Sequence, residues 1–378
     1  MTKKYLPGAT IGVMGGGQLG RMFAIAARRM GYRIHVFTPE EDSPAGQFSD
    51  QLHVGEYLNE GAVRSFARDL DVLTFEFENI PAETVDWAAH HCEVRPAGRI
   101  LETTQHRLRE KSFLSEAGFP LAPFHPVRYS SDLASAFEKV ERPAILKTAA
   151  WGYDGKGQQM ITGRTDVEEI WSARSADELI LERAVDFEKE LSVIVARDPS
   201  GNTKSFPVCE NIHRDHILDF TIAPARIDRS LQTAATELAE SIAQKLELVG
   251  LLAVELFLES DGNLLVNELA PRTHNSGHWT IEGCATSQFE QHLRAVCGLP
   301  LGSTELLRPS AMANLLGNVW LKGDPDWAAA LAQKNTHLHL YGKSEPRPRR
   351  KMGHLTSLGD TADEALALVA KARESLHL

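Results

Sequence analysis

A chain of 378 residues is long enough for two or three domains of ordinary size. Its 43% hydrophobic content supports buried cores and excludes disorder as the overall state, while a net charge of −11 provides no general field to gather nucleic acid or anionic lipid. No stretch approaches the ~20 apolar residues of a membrane span, and no secretory apolar run precedes the first glycines. Cys92, Cys209, Cys284 and Cys297 never stand as C-x-x-C, so reduced buried thiols are expected rather than a zinc site or disulfide scaffold. These features lead to the expectation of a soluble cytoplasmic protein with neither nucleic acid nor membrane as a partner.

The first hundred residues alternate short apolar runs with amphipathic stretches. A buried strand is expected at 10–14, a tight loop at 15–20, a helix at 21–30 closed by Gly31 and a strand at 32–37. A helix at 59–70 and a strand at 71–77 follow. Strand–helix–strand repetition implies right-handed crossovers and a parallel sheet, hence an α/β fold. After a helix at 105–117 the pattern changes near Gly118-Phe119-Pro120. Strands at 143–148 and 159–161 enclose a glycine-rich loop, and a helix is expected around 166–173. The segment 190–197 alternates as in an antiparallel sheet, 228–248 is a long amphipathic helix, and a last helix starts near Ala362.

Gly15-Gly16-Gly17-Gln18-Leu19-Gly20 satisfies G-x-G-x-x-G between a strand and a helix. A dinucleotide site also wants an acid at the tip of the second strand, where Phe37-Thr38-Pro39 stands instead. A small anion held by backbone N–H groups fits better, with Gln18 as a further amide donor; a simple tight turn is the alternative.

Asp261-Gly262 is a strong hairpin signal between apolar runs at 251–259 and 263–269. A two-residue turn there sets Leu258 opposite Leu265 and Glu255 opposite Glu268. Like charges directly opposed are unfavourable, and lone carboxylates in apolar strands are costly. Either the pair shares a proton or arginine partners, or it clamps a divalent metal beside Asn267 and Arg272. Upstream, Lys147 ends an apolar strand that feeds Trp151-Gly152-Tyr153-Asp154-Gly155-Lys156-Gly157-Gln158. This is no P-loop, yet its glycines let backbone fold over phosphates while Lys147 and Lys156 supply positive charge. Two lysines and two metal-binding acids together describe a nucleoside triphosphate site for phosphoryl transfer.

Six stretches, in order along the chain, carry a family resemblance: MGGGQLGRM (14–22), TFEFENIP (74–81), LKTAAWGYDGKGQ (146–158), NELAPRTHNSGHWT (267–280), NLLGN (314–318) and YGKSEPRPRRKMGH (341–354). The sequence resembles the ATP-grasp superfamily and, within it, the N5-carboxyaminoimidazole ribonucleotide synthetases. The resemblance implies a Rossmann-like pre-ATP-grasp domain at 1–100, an ATP-grasp domain at 101–305 with a lid at about 120–185, and a small β-rich domain at 306–378. It implies a homodimeric ligase that uses ATP, Mg²⁺ and bicarbonate to carboxylate 5-aminoimidazole ribonucleotide in purine biosynthesis. The rival within the superfamily is a formate-using glycinamide ribonucleotide transformylase.

Residue roles follow from the same resemblance. Arg107, Lys147 and the loop of Gly152, Tyr153, Asp154, Gly155, Lys156, Gly157 and Gln158 hold the ATP phosphates. Glu182, Arg183, Ala184 and Val185 form the adenine hinge, Glu190 takes the ribose, and His213 lies in the nucleotide site. Glu255 and Glu268, flanked by Asn267, hold Mg²⁺. Arg272 neutralises bicarbonate or carboxyphosphate near His274, Asn275 and Ser276. Gln18, Glu76, Lys343, Arg347 and Arg350 bind the ribonucleotide, while Tyr153, Asp154 and Lys156 manage its amine. Arg349 and Lys351 read as solvated charges. Thr273 stands where the family usually has proline, and Arg349 where it usually has glycine.

Overall fold

The computed structural model describes residues 3–150, 157–162, 171 and 178–377. Five parallel strands, β1 (Thr10–Met14), β2 (Arg33–Thr38), β3 (Gln51–Val54), β4 (Val72–Phe75) and β5 (Glu93–Val94), form the first sheet in the order β3-β2-β1-β4-β5. Ile11, Val13 and Met14 are fully buried because helices cover both faces of this sheet. The first helix runs Gln18–Arg29, three residues earlier than its apolar period alone suggests, so the glycine loop contracts to residues 15–17. Gly31, at φ 82°, ends the turn in the left-handed conformation that glycine adopts without penalty. Asn59 caps the helix Glu60–Arg68 by accepting a 3.1 Å bond from the Ala62 N–H. β4 stops at Phe75, short of the expected 77, which leaves Glu76 and Glu78 on the loop beyond the carboxyl end of the sheet. Open α/β sheets bind ligands at such ends.

A second, antiparallel sheet has the order β6-β9-β7-β8, from β6 (Phe124–Val127), β7 (Ala144–Thr148), β8 (Gln158–Ile161) and β9 (Leu179–Arg183). Its own apolar cluster joins Val127, Leu133, Leu146 and Leu181. Residues 151–156, which carry most of the predicted phosphate loop, and nearly all of the predicted helix at 166–173 lie outside the described residues.

The third sheet has nine strands: β10 (Phe187–Arg197), β11 (Thr203–Ser205), β12 (Cys209–Arg214), β13 (Ile217–Ala223), β14 (Gly250–Glu259), β15 (Leu264–Ala270), β16 (Ser310–Leu316), β17 (Thr336–Leu340) and β18 (Lys351–Leu358). The main path runs β15-β14-β10-β12-β13-β16-β18-β17, so the C-terminal strands continue the central sheet through the β13–β16 pairing. The helix Arg229–Lys245 covers one face, burying Ala235, Ala239 and Ile242 against Val193, Val195 and Val254. The helix Ala362–Glu374 does the same for the far end of the sheet.

The β14–β15 hairpin corrects the expected turn. Its loop is three residues long, with Glu259 donating its N–H to the Asn263 carbonyl and Gly262 in the left-handed region at φ 88°. Leu258 therefore faces Leu264, not Leu265. A bulge then inserts Asn267, and the expected opposition of Glu255 and Glu268 is restored one residue later.

Candidate functional site

Glu255 and Glu268 pair directly across β14 and β15, both partly buried. Burial and the neighbouring Glu268 push the Glu255 carboxyl up to about 7. Asn267 Nδ2 stands 3.5 Å from Glu255 Oε2, and His274 Nε2 is 3.5 Å from Glu255 Oε1. Burial and Arg272 hold the His274 imidazole well below its ordinary range, so it is a neutral partner. Glu268 accepts a 3.2 Å bond from Arg107. Among the described residues no cluster of three or more metal-ligating side chains occurs. One or two carboxylates are nevertheless what Mg²⁺ commonly takes from protein, and a carboxyl raised to about 7 by burial and a neighbouring acid is one that a divalent cation would relieve.

Behind this pair lie buried cations. Lys147, at the end of β7, donates a 2.8 Å bond to Glu182 on β9. Lys111, from the helix Arg107–Glu116, is 4.0 Å from the same oxygen. Burial alone would raise the Glu182 carboxyl, but Lys111 and Lys147 overcome it and hold it near 2. Glu182, Arg183, Ala184 and Val185 form the passage from β9 to β10, where two sheets meet. The Ala184 N–H donates to the Pro143 carbonyl. Across the sheet, Glu190 accepts a 2.6 Å bond from His213, raising the imidazole above its ordinary range against the opposing effect of burial.

The segment after β15 folds over the carboxylates. Arg272 forms a bidentate pair with Glu78, whose carboxyl it lowers despite burial, and donates a third bond to the Thr273 carbonyl. Proline at 273 would supply the same acceptor, so the departure from the family pattern leaves this contact intact. His274 Nδ1 bonds the Ser276 hydroxyl, which Ser192 also reaches at 2.8 Å. The Asn275 amide is buried with neither its nitrogen nor its oxygen bonded. Such a group costs free energy unless a ligand or water meets it.

At the first sheet, the glycine loop is already occupied by protein. Glu76 accepts from the N–H groups of both Gly17 and Gly20, so the anion at this helix N-terminus is the chain's own carboxylate. That arrangement corrects the view of the loop as an open cradle for small anions. Burial raises the Glu76 carboxyl, against the pull of those two amides. Gln18 acts through its oxygen, accepting a 2.8 Å bond from Lys343. Residues 325 positions apart thus close one site.

The basic segment divides in the structure. Lys351 faces Glu255 and His274 electrostatically instead of standing in solvent, contrary to the solvated reading. Arg350 reaches the Glu345 carbonyl and lies close enough to Lys343 to depress it. Arg347 is 71% exposed and paired with Glu345, apart from the cluster. Arg349 sits at φ 68°, where glycine is unstrained, which explains the family's usual choice. Here its N–H bonds the Asn318 side chain and its guanidinium the Asp215 carbonyl.

Tyr153, Asp154, Lys156, Gly152 and Gly155 lie outside the described residues. Gly157, at φ 74°, precedes β8 and accepts a bond from the Thr148 N–H, and Gln158 begins β8 opposite Lys147. Glu78, Glu110 and Lys111 were not foreseen. The Glu76-x-Glu78 alternation within an apolar stretch is the one sequence signal that could have flagged Glu78.

A ribonucleotide synthetase preATP-grasp domain matches residues 8–105, an ATP-grasp domain 112–289, and a phosphoribosylaminoimidazole carboxylase C-terminal domain 310–368. The chain is 45% identical over 367 residues to the N5-carboxyaminoimidazole ribonucleotide synthase of Bacillus subtilis (strain 168), covering 96% of this chain and 95% of that protein. It superimposes with a TM-score of 0.93 and 46% identity on the ADP complex of an N5-carboxyaminoimidazole ribonucleotide synthetase, covering 99% and 98% of the two chains. The Aspergillus clavatus enzyme in complex with ADP and 5-aminoimidazole ribonucleotide gives a TM-score of 0.89 at 33% identity, covering 98% of each chain. Similarity of this extent, over a shared three-part architecture, makes the chain a member of the N5-carboxyaminoimidazole ribonucleotide synthase family of ATP-grasp ligases.

Proposed function

We propose that the protein carboxylates 5-aminoimidazole ribonucleotide at its exocyclic amine, consuming ATP and bicarbonate and releasing ADP and phosphate. One observation carries the reading: the acids Glu255 and Glu268 stand face to face beside buried lysines, in a chain collinear with a carboxyaminoimidazole ribonucleotide synthase over 96% of its length. The γ-phosphoryl group passes from ADP oxygen to a bicarbonate oxygen. The amine then attacks the activated carbon; the C–N bond forms, the C–O bond to phosphate breaks, and the amine gives up a proton.

Arg107 and Lys147 bind and orient the phosphates, and the passage 182–185 receives the adenine. Glu190 and His213 take the ribose side. Glu255 and Glu268, with Asn267, would hold Mg²⁺, which when bound offsets triphosphate charge. Arg272, oriented by Glu78, faces the carboxyphosphate, with the buried Asn275 amide beside His274 and Ser276 as a further donor. Gln18, Glu76, Lys343 and Arg350 bind the ribonucleotide, and Arg347 joins them only if its loop moves. Asp154 accepts the amine proton, supported by Tyr153 and Lys156. The four described cysteines are free and buried, which accords with a reducing cytoplasm, and the family pattern accords with a homodimer.

Phosphate release measured with and without aminoimidazole ribonucleotide and bicarbonate tests this reading. Release that requires both supports it. Equal release with formate in place of bicarbonate overturns it in favour of a transformylase.

A further inference from the structure

The expected two-residue hairpin and the observed one agree on Glu255 opposite Glu268 only because of the bulge at Asn267. Leu256 pairs with Val266 but Glu255 with Glu268, leaving Asn267 as the extra residue. Val266 and Leu269 both enter the same apolar core, although they are three apart and strict alternation would place them on opposite faces. In an unbulged strand Glu268 would instead pair with Val254 and turn into that core.

A bulge breaks the ladder and leaves backbone groups in need of partners. Two consecutive residues of the helix Arg107–Glu116 supply them. Lys111 donates to the carbonyls of Asn267 at 2.9 Å and Val266 at 3.4 Å. Glu110 accepts a 3.0 Å bond from the Leu269 N–H. Both side chains are almost fully buried, at 3% and 2% exposure, which packing alone gives no reason to tolerate. The same helix is tied to the end of β7, where the Arg107 N–H donates to the Ala149 carbonyl at 2.7 Å.

We infer that Glu110 and Lys111 are positioning residues that lock the Asn267 bulge and so turn Glu268 toward Glu255. The inference rests on the reading of that pair as the acids that meet the magnesium nucleotide. Both act through the backbone of the strand.

The test uses full-length Lys111→Met and Glu110→Met variants, with Glu110→Gln as the conservative partner, because an amide oxygen accepts from Leu269 as a carboxylate does. ADP affinity is measured calorimetrically with and without Mg²⁺, alongside kcat, KM and thermal unfolding. Both Met variants are expected to lose the Mg²⁺-dependent gain in ADP affinity and about tenfold or more in kcat, with metal-free ADP affinity kept. Glu110→Gln is expected to retain both. Should Lys111→Met fail to fold, the two Glu110 variants carry the comparison alone. Met variants that unfold earlier yet keep the Mg²⁺ gain and kcat would reduce the pair to structural support and overturn the inference. A wild-type chain showing no Mg²⁺ gain would instead remove the underlying reading, and the inference with it.

Discussion

Lys147 and Glu182 form a 2.8 Å ion pair at the meeting of two sheets, and Lys111 approaches the same carboxylate from beneath. Two buried cations thus share one anion. Burial depresses the Lys147 ammonium, and Glu182 opposes that effect. Replacing Glu182 by Gln strands two lysines without a counter-charge. Breaking a buried pair in this way costs about 3–5 kcal/mol. Urea unfolding of Glu182→Gln is expected to show a loss of that order, and a change below ~1 kcal/mol would mean that solvent already screens the site. The carboxylate's contribution is present above its ordinary value of 4.5 and disappears as pH falls toward about 2.

The opposed glutamates make the reverse prediction. With Glu255 raised from 4.5 to about 7, the folded chain binds the extra proton across that interval, so metal-free stability at this site falls as pH rises through it. Glu268→Gln removes the neighbouring charge and should flatten the slope while abolishing ATP turnover. Melting temperatures of the wild type and the variant at pH 5 and pH 7.5, without Mg²⁺, check this. Parallel pH trends would show that the two acids do not interact as their geometry requires.

Part of the fold was legible because its determinants are local. The apolar run at 10–14 predicts β1 to the residue, and the helix expected at 59–70 is found at Glu60–Arg68. The Glu255–Glu268 opposition came from a turn signal whose loop length was misjudged, and the bulge supplied the missing residue. Glu110 and Lys111 were illegible for a different reason: charges in a helix at 105–117 look solvated until another strand covers them. The occupation of the glycine loop by Glu76 depends on β4 ending two residues early, which no propensity indicates. The continuous nine-strand sheet joins segments far apart in sequence, so its order is a tertiary fact.

Lys343 gives a pH signature for ribonucleotide binding. Burial and the nearby Arg350 pull its ammonium from 10.5 down to about 8. It is therefore mostly charged at pH 7 and mostly neutral at pH 9. KM for the ribonucleotide should rise as pH passes upward through 8, with KM for ATP changing less. Lys343→Met should start with a high KM and lose that pH dependence. A wild-type KM flat from pH 7 to 9 would separate Lys343 from the phosphate.

Gly17 offers the sharpest steric prediction. A Cβ added there would lie 2.5 Å from Glu76 Oε1 and 2.7 Å from Oε2, closer than any real contact. The carboxylate cannot retreat without surrendering its bonds from the Gly17 and Gly20 N–H groups, and burial leaves it few other partners. Gly17→Ala should therefore displace Glu76 and, through the adjoining Gln18, the contact to Lys343. Gly61 provides the control, since an added Cβ there meets only the Asn59 side chain at 3.6 Å, an ordinary contact. The expected result is a raised KM for the ribonucleotide in Gly17→Ala, with ADP affinity kept, and no such change in Gly61→Ala. If Gly17→Ala keeps the wild-type KM while thermal unfolding shows a fully folded chain, the Glu76 anchor has no part in holding the ribonucleotide.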